Sequence, residues 1–267
     1  MSYLFDPDNW EWLVTGNNAR FILEGFLVNL EIAVIAMAFS MLFGLLLALA
    51  RLSTFKPLAV LAGAWIDVFR NLPLIFLILY LFLGLPAPWR EAYEDIVPSW
   101  FPEALQSGRV LAALLGLVLY NSAVLAEIMR AGILSLDRGQ GEAASALGMT
   151  YRQSMRFVIL PQGLRRMVPA TVSQLITLNK DTTLVSIIAI QEVVRHGRIL
   201  TSFNFFGGVQ APVLQVFIFL GALFIIVNLL LSRLSRRLEI RERQRTAGAP
   251  TARVSGLEDQ VAAEPAR

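Results

Sequence analysis

The sequence predicts an all-α integral membrane protein of five transmembrane helices, with its N-terminus outside and its C-terminus inside. Three observations predict it. Apolar residues make up 56% of the 267 residues and charged residues only 16%, where an ordinary soluble domain carries about 25% charged. The apolar residues fall into runs of the roughly 20 residues needed to cross the hydrocarbon of a bilayer. Basic residues cluster after the odd-numbered runs, as expected of cytoplasmic ends.

Residues 1–24 form a polar, acidic external segment. It lacks the basic start and short apolar core of a cleaved signal. Trp10 and Trp12 in it suit either an interfacial anchor or packing against the first span. The first run, 25–50, ends at Arg51. The second, 58–84, is too long for one straight crossing and is interrupted by Asp67 and by Arg70-Asn71-Leu72-Pro73. Proline removes a backbone donor and favours a kink there, which makes 58–69 the cytoplasmic part and 72–84 the deeper part. The third, fourth and fifth runs are 110–134, 168–190 and 212–231. Arg51 and Lys56, then Arg130 to Arg166, then Arg233 to Arg245 mark one side of the membrane, while the 86–108 loop opposite carries Glu91, Glu94, Asp95 and Glu103. The transmembrane domain is therefore 25–237, with a cytoplasmic loop at 137–167. Residues 238–267 read as a disordered cytoplasmic tail, rich in Ala, Gly and Pro beyond Arg245. The chain shows no internal repeat at this level of reading.

The composition excludes several kinds of chemistry. Without cysteine there is no disulfide, thiolate metal site or cysteine nucleophile, and the single histidine, His196, rules out a multi-histidine metal site. No paired acids or serine–base arrangement converges as a membrane hydrolase would need. His196, between Arg195 and Arg198 in an expected external loop, reads as loop surface or as a contact for an external protein. The net charge of +3 fits cytoplasmic arginines and calls for no nucleic acid. No G-x-x-x-x-G-K-[ST] loop is present, so this chain does not bind ATP by that route.

The 137–167 loop carries helical signals of its own. Glu142 to Leu147 are good helix formers, and Gly148 fits a helix stop in the left-handed conformation. Thr150 with Gln153 matches a capping box opening a second helix, 151–160, which Pro161 should limit. The small face of Ala143, Ala144 and Ala146 lets another surface come close, or the helix lies on the membrane.

Glu142-Ala143-Ala144, three residues, Gly148, nine residues and Val158-Ile159-Leu160-Pro161 resemble the EAA loop of ABC importer permeases, departing only where Val158 replaces the usual isoleucine. Gly139-Gln140-Gly141 before it resembles the form found in amino-acid permeases. Arg70-Asn71-Leu72-Pro73-Leu74, Tyr120 to Gly132 and Asn179 to Ile187 are similar to further elements of the polar amino-acid permeases. The resemblance implies the type I importer (MetI-like) fold in a bacterial cytoplasmic (inner) membrane, multi-pass and in contact with lipid. It implies an ABC ATPase dimer, a second permease subunit, identical or related, and an extracytoplasmic amino-acid-binding protein. It also implies no cofactor in this subunit, with ATP and Mg held by the ATPase, and no catalysis of its own. Coupling would fall to Gly139, Gln140, Glu142, Ala143, Ala144, Leu147, Gly148 and Pro161. Glutamate, glutamine or aspartate is the favoured solute. A permease for another small solute, or a transporter driven by an ion gradient, is the alternative.

Ionisable groups inside spans are expensive and face protein or a water-filled path. Glu31, Asp67, Arg70, Asn71, Pro73, Glu127, Asn179, Lys180, Asp181, Thr182, Thr183 and Ser186 are the candidates, all but Glu31 and Asp67 for a translocation path. On an α-helix Thr182 and Ser186 share a face, as do Thr183 and Ser186. That face either lines the path or makes hydrogen bonds between helices. An i,i+3 pair joins Glu127 to Arg130, Glu31 is placed to snorkel, and Lys180 with Asp181 should pair with neighbours such as Glu127 or Arg70.

Overall fold

In a computed structural model describing residues 2–202 and 211–247, the described chain is helical and contains no strand. After short turns between Ser2 and Val14 come α1 (Asn18–Arg51), α2 (Lys56–Asn71), α3 (Leu74–Gly84), α4 (Ala87–Ile96), α5 (Gly108–Leu134), α6 (Arg138–Ala146), α7 (Leu160–Asp181), α8 (Val193–Leu200) and α9 (Val213–Ala247). Among the described residues α1, α5 and α9 are each long and apolar enough to cross a membrane. The α2–α3 pair qualifies as one broken span, bent by 101°. Leu72 and Pro73 are the break: both are extended, and Pro73 opens α3 with no side-chain cap. The kink expected from the proline is thus nearly a right-angled turn.

The expected fourth span fares differently. Helix α7 begins at Leu160, carries Arg165, Arg166, Gln174, Asn179 and Lys180, and does not pass as a span by apolarity. Arg165 and Lys180 are exposed, while Gln174 and Asn179 look to neighbouring helices. Gln174 donates to Asn121 of α5 at 2.8 Å and Asn179 donates to Asn228 of α9 at 3.1 Å. At Asp181 the winding tightens into a 3-10 helix, Thr182–Ile188.

Helix α5 is the axis against which α1, α2, α3, α4 and α7 pack. It can be surrounded because half of its buried positions are small: Gly108, Ala112, Ala113, Gly116, Ser122, Ala123 and Ala126. Small residues let helix backbones approach closely where lipid offers no hydrophobic gain for association. A Cβ on Gly116 would lie 2.9 Å from Ile78 of α3. Gly132 of α5 and Gly163 of α7 cross back to back: a Cβ on Gly163 would lie 2.9 Å from the Cα of Ile133. A second apolar cluster of Trp12, Ile22, Phe26, Val193, Leu200, Val216 and Leu220 ties the N-terminal turns and the start of α1 to α8 and α9. Trp12 is buried, edge-on to Phe219 at 6.0 Å, which decides for packing of that tryptophan.

The basic helix ends lie together. Tyr151 donates to the Leu52 carbonyl at 3.1 Å, and Ser235 of α9 donates to the Pro169 carbonyl of α7 at 3.0 Å. Helix α9 continues to Ala247, so residues 238–247 of the expected disordered tail are helical. Residues 248–267 lie outside the described residues.

The crossing at Gly163 has a measurable consequence. Gly163→Ala forces backbone apart and should cost about 1–3 kcal/mol, seen as a lowered Tm of the purified protein. Gly141→Ala, in α6 with open space around its Cβ, should be neutral or slightly stabilising, since alanine is the better helix former.

Candidate functional site

Two regions hold the residues singled out from sequence. The first is the loop between α5 and α7. Asp137 caps α6 by accepting from the Gly139 amide at 2.8 Å. The helix therefore starts at Arg138, four residues before the expected start at Glu142, and takes Gly139 and Gln140 into its first turn. It ends in a Schellman turn: the Gly148 amide donates to Ser145 and the Met149 amide to Ala144, with Gly148 at φ 77°. The capping box forms as expected, the Thr150 amide donating to Gln153 Oε1 at 2.8 Å and the Gln153 amide to Thr150 Oγ1 at 3.4 Å. Pro161 does the reverse of what the sequence suggested. The winding loosens into a π-turn, Met155–Ile159, and Pro161 sits in the first turn of α7, where a missing N–H costs nothing. It starts a helix and does not limit one.

Of the small face, Ala143 and Ala146 are exposed, while Ala144 is only 3% exposed, in a helix packed on the Met155–Ile159 turn. Glu142 and Gly148 are exposed, and Leu147 is 79% exposed. One side chain ties α6 to α7, Gln162 donating to Gln140 at 3.3 Å, and Arg166 ties α7 to the end of α5 by donating to the Ser135 carbonyl at 2.6 Å.

The second region holds the in-span polar groups, which the structure divides in two. Around the α2–α3 bend, the Glu127 carboxylate of α5 takes Arg130 at 2.8 Å, as expected, and also Arg51 from the end of α1 at 2.7 Å. Arg51 reaches Asp67 of α2 at 3.6 Å. Arg51 stood at the end of a run and Asp67 inside the next, and neither gave a sign of this convergence in the sequence. Arg70, Asn71 and Pro73 are exposed at the bend, and Asn71 donates to the Asp67 carbonyl at 2.6 Å. Lys180 and Asp181 do not join this cluster: neither makes an ion pair within 4.0 Å among the described residues, and the partners of Glu127 are Arg51 and Arg130.

The other group surrounds the 3-10 helix. Its three-residue period places Thr182 with Val185, and Thr183 with Ser186, so Thr182 and Ser186 do not share a face as they would on an α-helix. Thr183 and Ser186 bond locally, to the Lys180 and Thr183 carbonyls. Thr182 is buried and accepts from Asn29 of α1 at 3.0 Å. Asn29 and Glu192, both wholly buried, were missed from sequence; a carboxamide amid apolar residues was the available signal for the first. The Glu192 carboxylate caps α8, accepting from the Val194 and Arg195 amides at 3.0 and 2.8 Å. Burial pushes its proton affinity up against the pull of those donors.

His196 is not loop surface. It is 8% exposed, stacked on Phe21 at 3.9 Å with its Nδ1 2.6 Å from the Phe21 carbonyl, and pressed against Gly25. Burial holds its pKa below the usual 6.5, against the carbonyl bond and the charge of Glu24. It borders a cavity of about 610 Å³ walled by α1 (Glu24, Glu31), the 103–109 stretch (Glu103, Arg109) and Ala189. None of the expected path residues lines it. Glu31 turns inward to this space, with Oε2 buried and without a hydrogen-bond partner, and does not snorkel.

Residues 40–241 match the family model of the binding-protein-dependent transport system inner membrane component. The chain belongs to this family. It is 36% identical over 222 residues to the probable glutamine ABC transporter permease protein GlnP of Bacillus subtilis (strain 168), covering 83% of this chain and 94% of that one. It is 33% identical over 237 residues to the glutamate/aspartate import permease protein GltK of Escherichia coli O6:H1, covering 85% and 98%. The crystal structure of an amino acid ABC transporter with histidines superposes with a TM-score of 0.69 at 29% identity over 86% of this chain and 98% of that one. The inward-facing MetNI methionine ABC transporter shares the fold, with a TM-score of 0.60 at 19% identity over 82% and 96%.

This ABC-importer permease therefore has the type I architecture and the membrane-spanning helices that its composition required. Family membership sets aside the ion-gradient transporter.

Two measurements probe these sites. Glu127→Gln leaves Arg51 and Arg130 facing each other with no carboxylate and should cost about 2 kcal/mol, read as a Tm loss; Arg51→Met, which spares the Arg130 pair, should cost less. His196 gives a pH effect of defined sign. Below 6.5 the unfolded chain binds a proton that the buried imidazole refuses, so stability falls as pH drops through that window. The Tm lost between pH 7.5 and 5.5 should shrink in His196→Asn relative to the unsubstituted protein.

Proposed function

We propose that this chain is the permease subunit of an ATP-driven importer of polar amino acids, glutamate, glutamine or aspartate foremost, and that α6 is its coupling helix. The single observation that carries the reading is a short helix, capped at both ends, exposed at Glu142, Ala143, Ala146 and Leu147 and tied through Gln140 to Gln162 of α7, which is itself bound through Arg166 to the end of α5. A push on such a helix is delivered to α7 and from there to α5, whose backbones approach closely at Gly132 and Gly163. Rigid crossings transmit displacement where a looser contact would absorb it. Leu147 is the apolar knob for a groove on the ATPase, which holds ATP and Mg. The names of the relatives, which include an arginine transport system permease, support amino acids as the class carried.

In this reading α7, sheltered by α5 and α9, is the fourth of five crossings, the N-terminus is outside and the basic ends lie in the cytoplasm of a bacterium, by the positive-inside rule. A second permease, identical or related, completes the pore, and an extracytoplasmic binding protein delivers the solute. Arg70, Asn71 and Pro73 at the bend, Glu127 behind them, and Asn179, Lys180, Asp181, Thr183 and Ser186 near the 3-10 helix border the path, with Thr182 supporting it from behind.

The test is co-purification of the ATPase with a permease carrying Glu142→Arg and Gly148→Trp. Tryptophan at φ 77° breaks the Schellman turn, so recovery of the ATPase should fall about tenfold, a coupling loss of about 1.4 kcal/mol, while the permease still folds. An undiminished complex would sink the docking role. Calorimetry of the cognate binding protein against single amino acids identifies the solute.

A further inference from the structure

One side chain holds both ends of the 182–193 segment. Asn29 is wholly buried on α1. Its Nδ2 donates to Thr182 Oγ1 at 3.0 Å and to Glu192 Oε2 at 3.1 Å, while its Oδ1 accepts from the Val193 amide at 3.0 Å. The partners are themselves committed. Thr182 Oγ1 donates to the Asn179 carbonyl at 2.7 Å, and Glu192 caps α8. Exchanging any member leaves a buried polar group unmatched, which is costlier than the bond itself is worth.

Between the two anchored ends lies Ala189, at φ 59° and ψ 31°, where the 3-10 helix stops. It is the only non-glycine residue with positive φ among the described residues. An alanine there is strained and persists only where its surroundings over-determine it. The anchoring at Thr182 and at Glu192–Val193 supplies that constraint. Ala189 and Gln191 form one wall of the 610 Å³ cavity, and α1, through Glu24 and Glu31, forms the facing wall. Asn29 therefore sets the separation between the walls from a position outside the cavity.

We propose that Asn29 is a positioning residue for transport: its carboxamide pins the 182–193 segment to α1, holds the Ala189 turn in its left-handed form and fixes the width of the cavity. This rests on the permease reading above. Loss of the pin lets the turn relax and the wall move, so that ATP is hydrolysed with less solute carried.

The protein has no cysteine, so Gln191→Cys places one thiol on the exposed wall. The importer, assembled with its ATPase and binding protein in proteoliposomes, is compared in that background as such and with Asn29→Ala, Thr182→Val or Thr182→Ser. Two quantities are read: the rate of maleimide labelling and the amino acid carried per ATP hydrolysed. Asn29→Ala and Thr182→Val should each change the labelling rate and lower the transport ratio by about tenfold, the factor one ordinary buried hydrogen bond makes. Thr182→Ser, which keeps the hydroxyl, should stay within about twofold on both. Labelling and ratio both within about twofold in Asn29→Ala and Thr182→Val would overturn the proposal. So would a lowered ratio with unchanged labelling, since the wall would not have moved. If Asn29→Ala fails to assemble, Thr182→Val decides. If the unsubstituted assembly carries no amino acid, the permease reading fails, and labelling alone still tests the pin.

Discussion

The fold depends on one constraint: α5 must be approached by five helices at once. Small buried residues make that possible: Gly108, Gly116, Ala123 and Ala126 let neighbouring backbones close on α5 between the larger Leu117, Leu125 and Met129. Close approach brings dispersion and favourable geometry for bonds between helices, the main sources of cohesion where lipid is as apolar as leucine. Once α5 is so enclosed, charged groups at its end have nowhere to hide from one another, and Glu127 neutralises an arginine from α1 as well as its own neighbour.

From that axis the two functional regions follow as two ends of one device. At the basic end, α6 lies between α5 and α7 in the chain and is held by a cap, a Schellman turn and one side-chain tie to α7. Towards the other end, α7 tightens into a 3-10 helix whose far side is tied to α1. A displacement of α6 has a continuous path of packed helix to reach that segment. The 101° turn between α2 and α3 places Arg70 and Asn71 beside the ion cluster and not along a straight span.

Local signals were legible in the sequence and long-range ones were not. The left-handed Gly148, the Thr150–Gln153 capping box and the break at Pro73 each depend on a few adjacent residues, and each was found where expected. Pro161 was read with the wrong sign because its helix-stopping and helix-starting roles look alike until the preceding turn is seen to be π. Thr182 was assigned a face from an α-helical period that the chain abandons at Asp181. Convergence of Arg51, Asp67 and Glu127, or of Asn29 and Glu192, depends on pairings 16 to 163 residues apart, which no periodicity encodes. His196 misled because flanking arginines suggested surface, whereas Phe21 and Gly25 enclose it.

The polar character of α7 has a consequence for how the protein is made. A segment bearing Gln174, Asn179 and Lys180 gains little by entering hydrocarbon alone. Its matching groups are Asn121, which leaves the ribosome before it, and Asn228, which leaves after it. The bonds that satisfy the polar groups of α7 are therefore complete only once α9 has been synthesised, whereas α1, α5 and α9 are each apolar enough to enter a membrane by themselves.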